Sequence, residues 1–233
     1  MTSDSYIYHG EHAGHVLRGR LSHLRTSELP TLASRGKGAC SKYGRKHVEA
    51  VFEAQLAVIF QTLGFYVIPA NRGASAVDLI CVSAEARSPT TMLVEAKTCG
   101  SRYSLPAKDV RALCEYVESV RERLSTFPKP SALIIVGPEC AKTVENKLAS
   151  LEGEVGIPTR YIVADDIALL RESIPGPLPV HDFLRAIRLT AHVVPRDAIK
   201  RICSTFYATE AAHIEFARAV LDRKVKGGPS AWH

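Results

Sequence analysis

VDLICVSAEARSPTTMLVEAKT, residues Val77 to Thr98, contains two short apolar runs, LICVS and TMLVEA, rich in β-branched residues and separated by a segment with Ser and Pro. Runs of this kind read as neighbouring strands. Charge sits at their ends: Asp78 opens one, and Glu95 and Lys97 close the other. Side chains alternate along a strand, so Glu95 and Lys97 share a face while Ala96 turns opposite, under a helix. If the two runs pair as a hairpin, Asp78 and Glu95 come close together, and two such carboxylates repel unless positive charge lies between them. A divalent cation removes that repulsion, and hard oxygen ligands suit Mg²⁺, with Mn²⁺ as the alternative. The Ala96 carbonyl is a further candidate ligand. Lys97 beside the ion would orient a water and offset charge on a phosphorane-like transition state, the chemistry of phosphodiester hydrolysis.

The flanking sequence supplies helices. RKHVEAVFEAQLAVIFQTLGF repeats apolar residues at three and four, through Val48, Val51, Phe52, Leu56, Ile59, Phe60 and Leu63, and Gly64 stops the pattern. Glu49 and Glu53 share one face of this helix, and either could add a carboxylate to the site. FYVIPA reads as a strand before the hairpin, and PAKDVRALCEYVESVRERL as an amphipathic helix with Pro106 near its first turn. SALIIVG is apolar almost throughout, as in a strand covered on both faces. ECAKTVENKLASLEGE, TRYIVA and DDIALLRES follow as helix, strand and short helix, the last capped by Asp165 or Asp166. The order α-β-β-β-α-β-α-β predicts an α/β fold, one sheet with helices against it. Residues 174–179 read as a linker, and 180–190 and 196–224 as a C-terminal helical extension to about 226, broken near Thr205–Thr209. Residues 1–46 show no sustained period and read as a basic arm or partly ordered extension, in which His9, His12 and His15 are expected to be solvated rather than to form a metal clip.

Composition narrows the partners. The net charge of +6 is unevenly spread: residues 1–46 carry +5 and 180–233 carry +4, whereas 47–179 carry −3. Basic flanks around an acidic centre suit a polyanion held at the periphery. No apolar run approaches the length needed to span a bilayer. The first residues lack the layout of a secretory signal, and the six scattered cysteines form no CxxC pair. A cytoplasmic protein with reduced, mostly buried thiols is therefore expected.

Helix–Glu, strand–Asp, strand–ExK, helix, strand resembles the core of the PD-(D/E)xK nuclease superfamily. More narrowly, MLVEAKTCGSRYSLPAKDVRALCEYVESV, Met92 to Val120, is similar to the cleavage domain of FokI-type restriction endonucleases. In that family the acid-x-Lys is followed by a Gly-containing loop, Tyr-x-Leu-Pro, and a helix with an early Asp and a late Tyr-Val. Those positions are Gly100, Tyr103, Leu105, Pro106, Asp109, Tyr116 and Val117. The resemblance covers about residues 47–172 and implies a restriction-endonuclease-like αβββαβ core over 47–173, with a mixed central sheet flanked by helices.

What the resemblance implies for function is a metal-dependent DNA endonuclease in a restriction, anti-phage defence or mobile-element setting. Asp78, Glu95 and the Ala96 carbonyl would hold the metal, Lys97 would be the catalytic lysine, and Glu53, ahead of Glu49, the helix acid. Val77 replaces the Pro usual before the first Asp. The 46 residues ahead of the core are too few for a separate recognition region, so the expected assembly is a homodimer, or a complex with a partner protein that supplies specificity. Double-stranded DNA would be held through phosphates by Arg18, Arg20, Arg25, Arg35, Lys37, Lys42, Arg45 and Lys46 in the arm, and by Arg185, Arg188, Arg196, Lys200 and Arg201. Arg72, Ser101, Arg102 and Tyr103 are the candidate contacts beside the site. The alternatives are a non-catalytic nucleic-acid-binding or assembly subunit that retains the fold, and a junction-resolving or transposase-type nuclease.

Overall fold

The computed structural model describes residues 26–69, 77–83, 90–123, 129–174 and 180–206. Its centre is the two apolar runs quoted above. β2 (Leu79–Ser83) and β3 (Thr91–Ala96) pair antiparallel with Leu79 opposite Val94, and β1 (Phe65–Pro69) pairs antiparallel with β2 on the outer side. β4 (Pro130–Gly137) and β5 (Thr159–Val163) join parallel beyond β3, so the mixed sheet runs in chain order, 1-2-3-4-5. Parallel neighbours need a crossover element between them. α4 (Ala107–Arg123) connects β3 to β4, and α5 (Val144–Val155) connects β4 to β5. The expected αβββαβ core is present.

Alternation in β3 and β4 sorts residues between two cores. Met92, Val94, Ala96, Ala132, Ile134 and Val136 pack with α3 (Val48–Thr62) on one face. Leu93, Leu133 and Ile135 pack with Leu113, Val117 and Val120 of α4 and with α5 on the other. Both faces of β4 are thus covered, as its apolar run requires. Every apolar position of the α3 pattern is buried, Val48 through Leu63.

Within the arm or partly ordered extension expected over 1–46, residues 26–43 form helices. A 3₁₀ turn (Thr26–Glu28) leads into α1 (Leu29–Ala33) and α2 (Lys37–Tyr43), and Leu29, Leu32 and Ala33 are fully buried in the α3 core. The reason lies in α3, which also buries Ala50, Ala54 and Ala57. These small side chains form a second face that another helix can approach closely. Burying a leucine contributes about 1.5–3 kcal/mol, so two in α1 suffice to hold a helix too short to be stable alone.

The C-terminal helices also share this core. α6 (Ala164–Ser173) leads, across the interval 175–179, to α7 (Val180–Arg188), and α8 spans 196–206. Val180, Phe183, Leu184, Ile187, Val194, Ala198 and Ile199 are buried together with α3 and the sheet. The strand between α7 and α8 covers the β5 edge: the Tyr161 N–H donates to the His192 carbonyl at 2.7 Å, and the Val194 N–H to the Tyr161 carbonyl at 2.9 Å. Glu145 of α5 fastens that segment by accepting the N–H groups of His192 and Val193. An edge strand is blunted in this way.

Two smaller expectations need correcting. α6 starts at Ala164 with Val163 as its N-cap and no side-chain cap bond, so Asp165 and Asp166 lie in its first turn and pair with Arg196 instead. Of the six cysteines only Cys81 and Cys203 are buried, and all six are free thiols. The histidines of the arm, most of the linker, and the chain beyond 206, with the rest of the expected last helix, lie outside the described residues. Among the described residues no helix is long and apolar enough to cross a membrane.

Gly137, at the end of β4, is where packing meets the site. A Cβ there would collide with the Tyr161 hydroxyl and lie 3.1 Å from the Lys97 carbonyl oxygen. Tyr161 is fully buried and its hydroxyl donates to the Pro138 carbonyl at 2.6 Å, so the ring cannot yield cheaply. Gly137→Ala is expected to cost about 1–3 kcal/mol by overpacking, measured as a lower urea midpoint with an unchanged slope.

Candidate active site

The register that sets Leu79 opposite Val94 carries one step further, to Asp78 beside Glu95. Paired residues of antiparallel strands share a face, here the α4 side, since Leu93 and Ile80 pack there too. Asp78 is held by the backbone: its Oδ2 accepts the Ala96 N–H at 2.7 Å. The N–H and C=O of a strand residue leave on the same side of the strand, so the Ala96 carbonyl also faces the Asp78 side. Ala96 itself is buried under α3, as the alternation requires.

Glu95 is 4% exposed, an expensive place for a carboxylate. Its Oε1 accepts a 2.7 Å hydrogen bond from the Lys97 ammonium, while its Oε2 is buried without a hydrogen-bond partner. Lys97 Nζ also lies 3.9 Å from Asp109 Oδ2, and that oxygen accepts the Tyr103 hydroxyl at 2.7 Å. The chain of polar contacts therefore runs Tyr103, Asp109, Lys97, Glu95.

The electrostatics follow from this crowding. Withdrawal from water, then the charges of Glu95 and Glu53, push the Asp78 carboxyl well above the usual carboxylate range. Burial pushes Glu95 up as well, opposed chiefly by Lys97. Burial alone would lower Lys97, but Glu95, followed by Asp109 and Asp78, outweighs it and holds the ammonium above its ordinary value. Asp78 and Glu95 thus each feel the charge of Glu53, and Lys97 offsets it on both.

Such a site fits a hard divalent cation. The Glu95 oxygen without a partner, the raised Asp78 carboxyl and a main-chain carbonyl are the oxygen donors that Mg²⁺ takes. Among the described residues no three Asp, Glu, His or Cys side chains form a ready-made cage. A cation here would rest on two carboxylates, a carbonyl and water, the partly hydrated coordination that Mg²⁺ prefers.

No protein-family model matches the sequence, and no curated protein does. Solved structures do match by shape, among them those of the restriction endonuclease FokI alone and of FokI bound to DNA. Each of these two superimposes with a TM-score of 0.58 at 15% identity, covering 74% of this chain. The fold is restriction-endonuclease-like. The chain corresponds to about a third of FokI, 32% and 31% of the two matched chains.

Within this restriction-endonuclease-like core the expected residues are placed as follows. Asp78, Glu95 and Lys97 converge. Glu53, half-buried on α3 across the sheet, raises both Asp78 and Glu95 by its charge. Glu49 is turned away: it is exposed, 3.6 Å from Arg35 Nη2. Arg45 and Lys46 lie exposed in the turn before α3, and Ser101 and Arg102 lie exposed in the loop after β3. The start of the loop after β3 adjoins the turn that follows α1: the Cys99 N–H donates to the Ala33 carbonyl and Arg35 Nε to Thr98 Oγ1. Arg72, Arg18, Arg20 and Arg25 lie outside the described residues.

Tyr103 is a correction. It was expected to contact nucleic acid, but it is 6% exposed, its ring stacked on Tyr161 and its hydroxyl given to Asp109. The C-terminal basic patch is also partly engaged: Arg196 pairs with Asp165 and Asp166, and Arg188 donates to the Ser131 carbonyl. Two residues read in the sequence only as carriers of the family resemblance turn out to lie close to the site. Asp109, in the first turn of α4, faces Lys97. Tyr116, two turns further along α4, is raised first by burial and then by Glu95, with Asp78 and Asp109 adding to it. Their seven-residue spacing, two turns of one helix face, was the available signal.

Proposed function

We propose that this protein is a Mg²⁺-dependent DNA endonuclease, with Asp78, Glu95 and the Ala96 carbonyl as metal ligands, Lys97 as the catalytic lysine and Glu53 as an accessory acid. The observation that carries the reading is the buried Glu95 carboxylate, one oxygen on Lys97 and the other without a partner, beside the raised Asp78 carboxyl. The restriction-endonuclease-like fold supports it, as does FokI having been solved on DNA.

The chain's own groups divide the work. Asp78 and Glu95 present carboxylate oxygens held by the Ala96 N–H and by Lys97, so they are oriented before substrate arrives. A divalent cation bound there supplies charge neutralisation and Lewis acidity toward a phosphoryl oxygen. Lys97 keeps its proton at neutral pH and so acts as a fixed positive charge and hydrogen-bond donor toward the phosphate or the attacking water. Arg35, Arg45, Lys46 and Arg102 hold the DNA backbone around this centre by salt-sensitive contacts without base readout. The likeness to FokI supports a restriction, anti-phage defence or mobile-element setting for this chemistry. One site cuts one strand, so a double-strand break takes a homodimer or a partner protein.

The test is supercoiled plasmid incubated with the protein in Mg²⁺, Mn²⁺ or EDTA. Nicking or linearisation with either metal and none in EDTA is expected. Salt-dependent DNA binding without turnover would instead identify a binding or assembly subunit. A panel of linear, nicked, junction and single-stranded DNA separates a restriction-type from a junction-resolving or transposase-type enzyme. For the phosphate contacts, Arg45→Ala and Lys46→Ala should each weaken binding on all sequences. Each should also reduce the slope of log K against log salt by about one, read by fluorescence anisotropy. An unchanged slope removes that residue from the interface.

A further inference from the structure

We propose that Asp109 is a positioning residue that takes over the Lys97 ammonium when a cation binds at Glu95, an inference that rests on the metal reading above. Lys97 Nζ stands between two carboxylates, Glu95 Oε1 at 2.7 Å and Asp109 Oδ2 at 3.9 Å. With a cation on Glu95, the ammonium would lie against a like charge in a poorly solvated site, where repulsion is strong. It then needs another acceptor, and Asp109 requires a shift of only about 1 Å to reach hydrogen-bonding distance.

The two partners differ in freedom, which sets the direction of movement. Asp109 is held in place by the Tyr103 hydroxyl. Tyr103 is itself fixed, stacked on Tyr161 with ring centroids 5.7 Å apart, its N–H on the Glu139 carbonyl and its carbonyl on the Ala141 N–H. Lys147 pins the turn into α4 by donating to the carbonyls of Ser104 and Leu105. Lys97 has a flexible four-carbon stem and three rotatable donors. The lysine moves and the aspartate waits. In one station Lys97 neutralises Glu95 in the metal-free protein. In the other it stays charged and aimed at the site after Glu95 has been given up.

The test is a double-mutant cycle on direct Mn²⁺ binding to the full chain, with free Mn²⁺ read by electron paramagnetic resonance. Asp109→Asn is expected to weaken Mn²⁺ binding about tenfold, equivalent to about 1.4 kcal/mol, when Lys97 is present. In a Lys97→Gln background it should weaken binding less than about twofold, because no ammonium is left to relocate. Asp109→Glu should restore most of the loss. Tyr103→Phe, which keeps the ring stack, should weaken binding in the same direction by a smaller factor. In cleavage assays Asp109→Asn should lower kcat with KM for DNA little changed. Equal losses in both lysine backgrounds would mean that Asp109 acts by charge alone and would overturn the handover, as would no loss at all. In both cases the metal reading stands if the wild type binds Mn²⁺. A wild type that binds none removes the metal reading and this inference together.

Discussion

Lys97→Ala should abolish metal-dependent plasmid cleavage, with a loss of at least about 10²–10³-fold, the scale for removing one preorganised charged donor from a transition state. The ammonium is bonded to Glu95 and faces Asp109. Its high pKa means that it does not titrate near neutrality, so it serves as a charge and a donor rather than as a general base. The variant should still fold. Glu95, deprived of Lys97, is pushed still further toward its neutral form, and a neutral buried carboxyl costs far less than an unpaired charge. A melting curve with and without Mg²⁺ provides the control. Equal cutting by wild type and variant would end the assignment of Lys97, and with it the reading of the whole cluster.

Asp78→Asn should separate activity from stability in opposite directions: cleavage is lost, and the metal-free protein becomes more stable near neutral pH. The folded state raises the pKa of Asp78, as it does that of Glu95, so the native protein binds these protons more tightly than the unfolded chain does. Such groups add stability at acid pH and lose it as pH rises, starting near about 4, where unfolded Asp and Glu ionise, and continuing through their raised native values. At neutral pH the wild type therefore holds a destabilising carboxylate that asparagine removes, while the asparagine oxygen can still accept the Ala96 N–H. Each kcal/mol recovered appears as about 2–4 °C in Tm for a chain of this size. Mg²⁺ should reverse the order. Ligand at 100 times its Kd adds about 2.7 kcal/mol to a protein that binds it, so the wild type gains in Tm and Asp78→Asn does not. Thermal melts of both proteins at pH 5 and 8, in EDTA and in Mg²⁺, decide this. A wild type indifferent to Mg²⁺, or a variant that gains as much, would refute it.

The site was legible where local pattern controls geometry. Glu95 and Lys97 on one face with Ala96 on the other follows from strand alternation alone, and a short hairpin is enough to set Asp78 beside Glu95. Between the two helix acids, the family resemblance favoured Glu53, whose charge reaches Asp78 and Glu95. Tyr103 was misread because an aromatic residue in a polar loop gives no sign of whether it faces solvent. Its burial depends on Tyr161, 58 residues later, which arrives beneath it only once β5 has docked.

The amino-acid pattern by itself settled the strand order along the chain, the helices between the strands and the carboxylate–lysine spacing, because these depend on periodicities of two and three to four residues that a short segment expresses alone. Tertiary structure decided the rest. It folded α1 and α2 against α3, wrapped the segment at 192–194 along the edge of β5, and set Asp109 beside Lys97. Each of these is a contact between surfaces far apart in the chain, and burial or a hydrogen bond won across such a distance leaves no period in either partner.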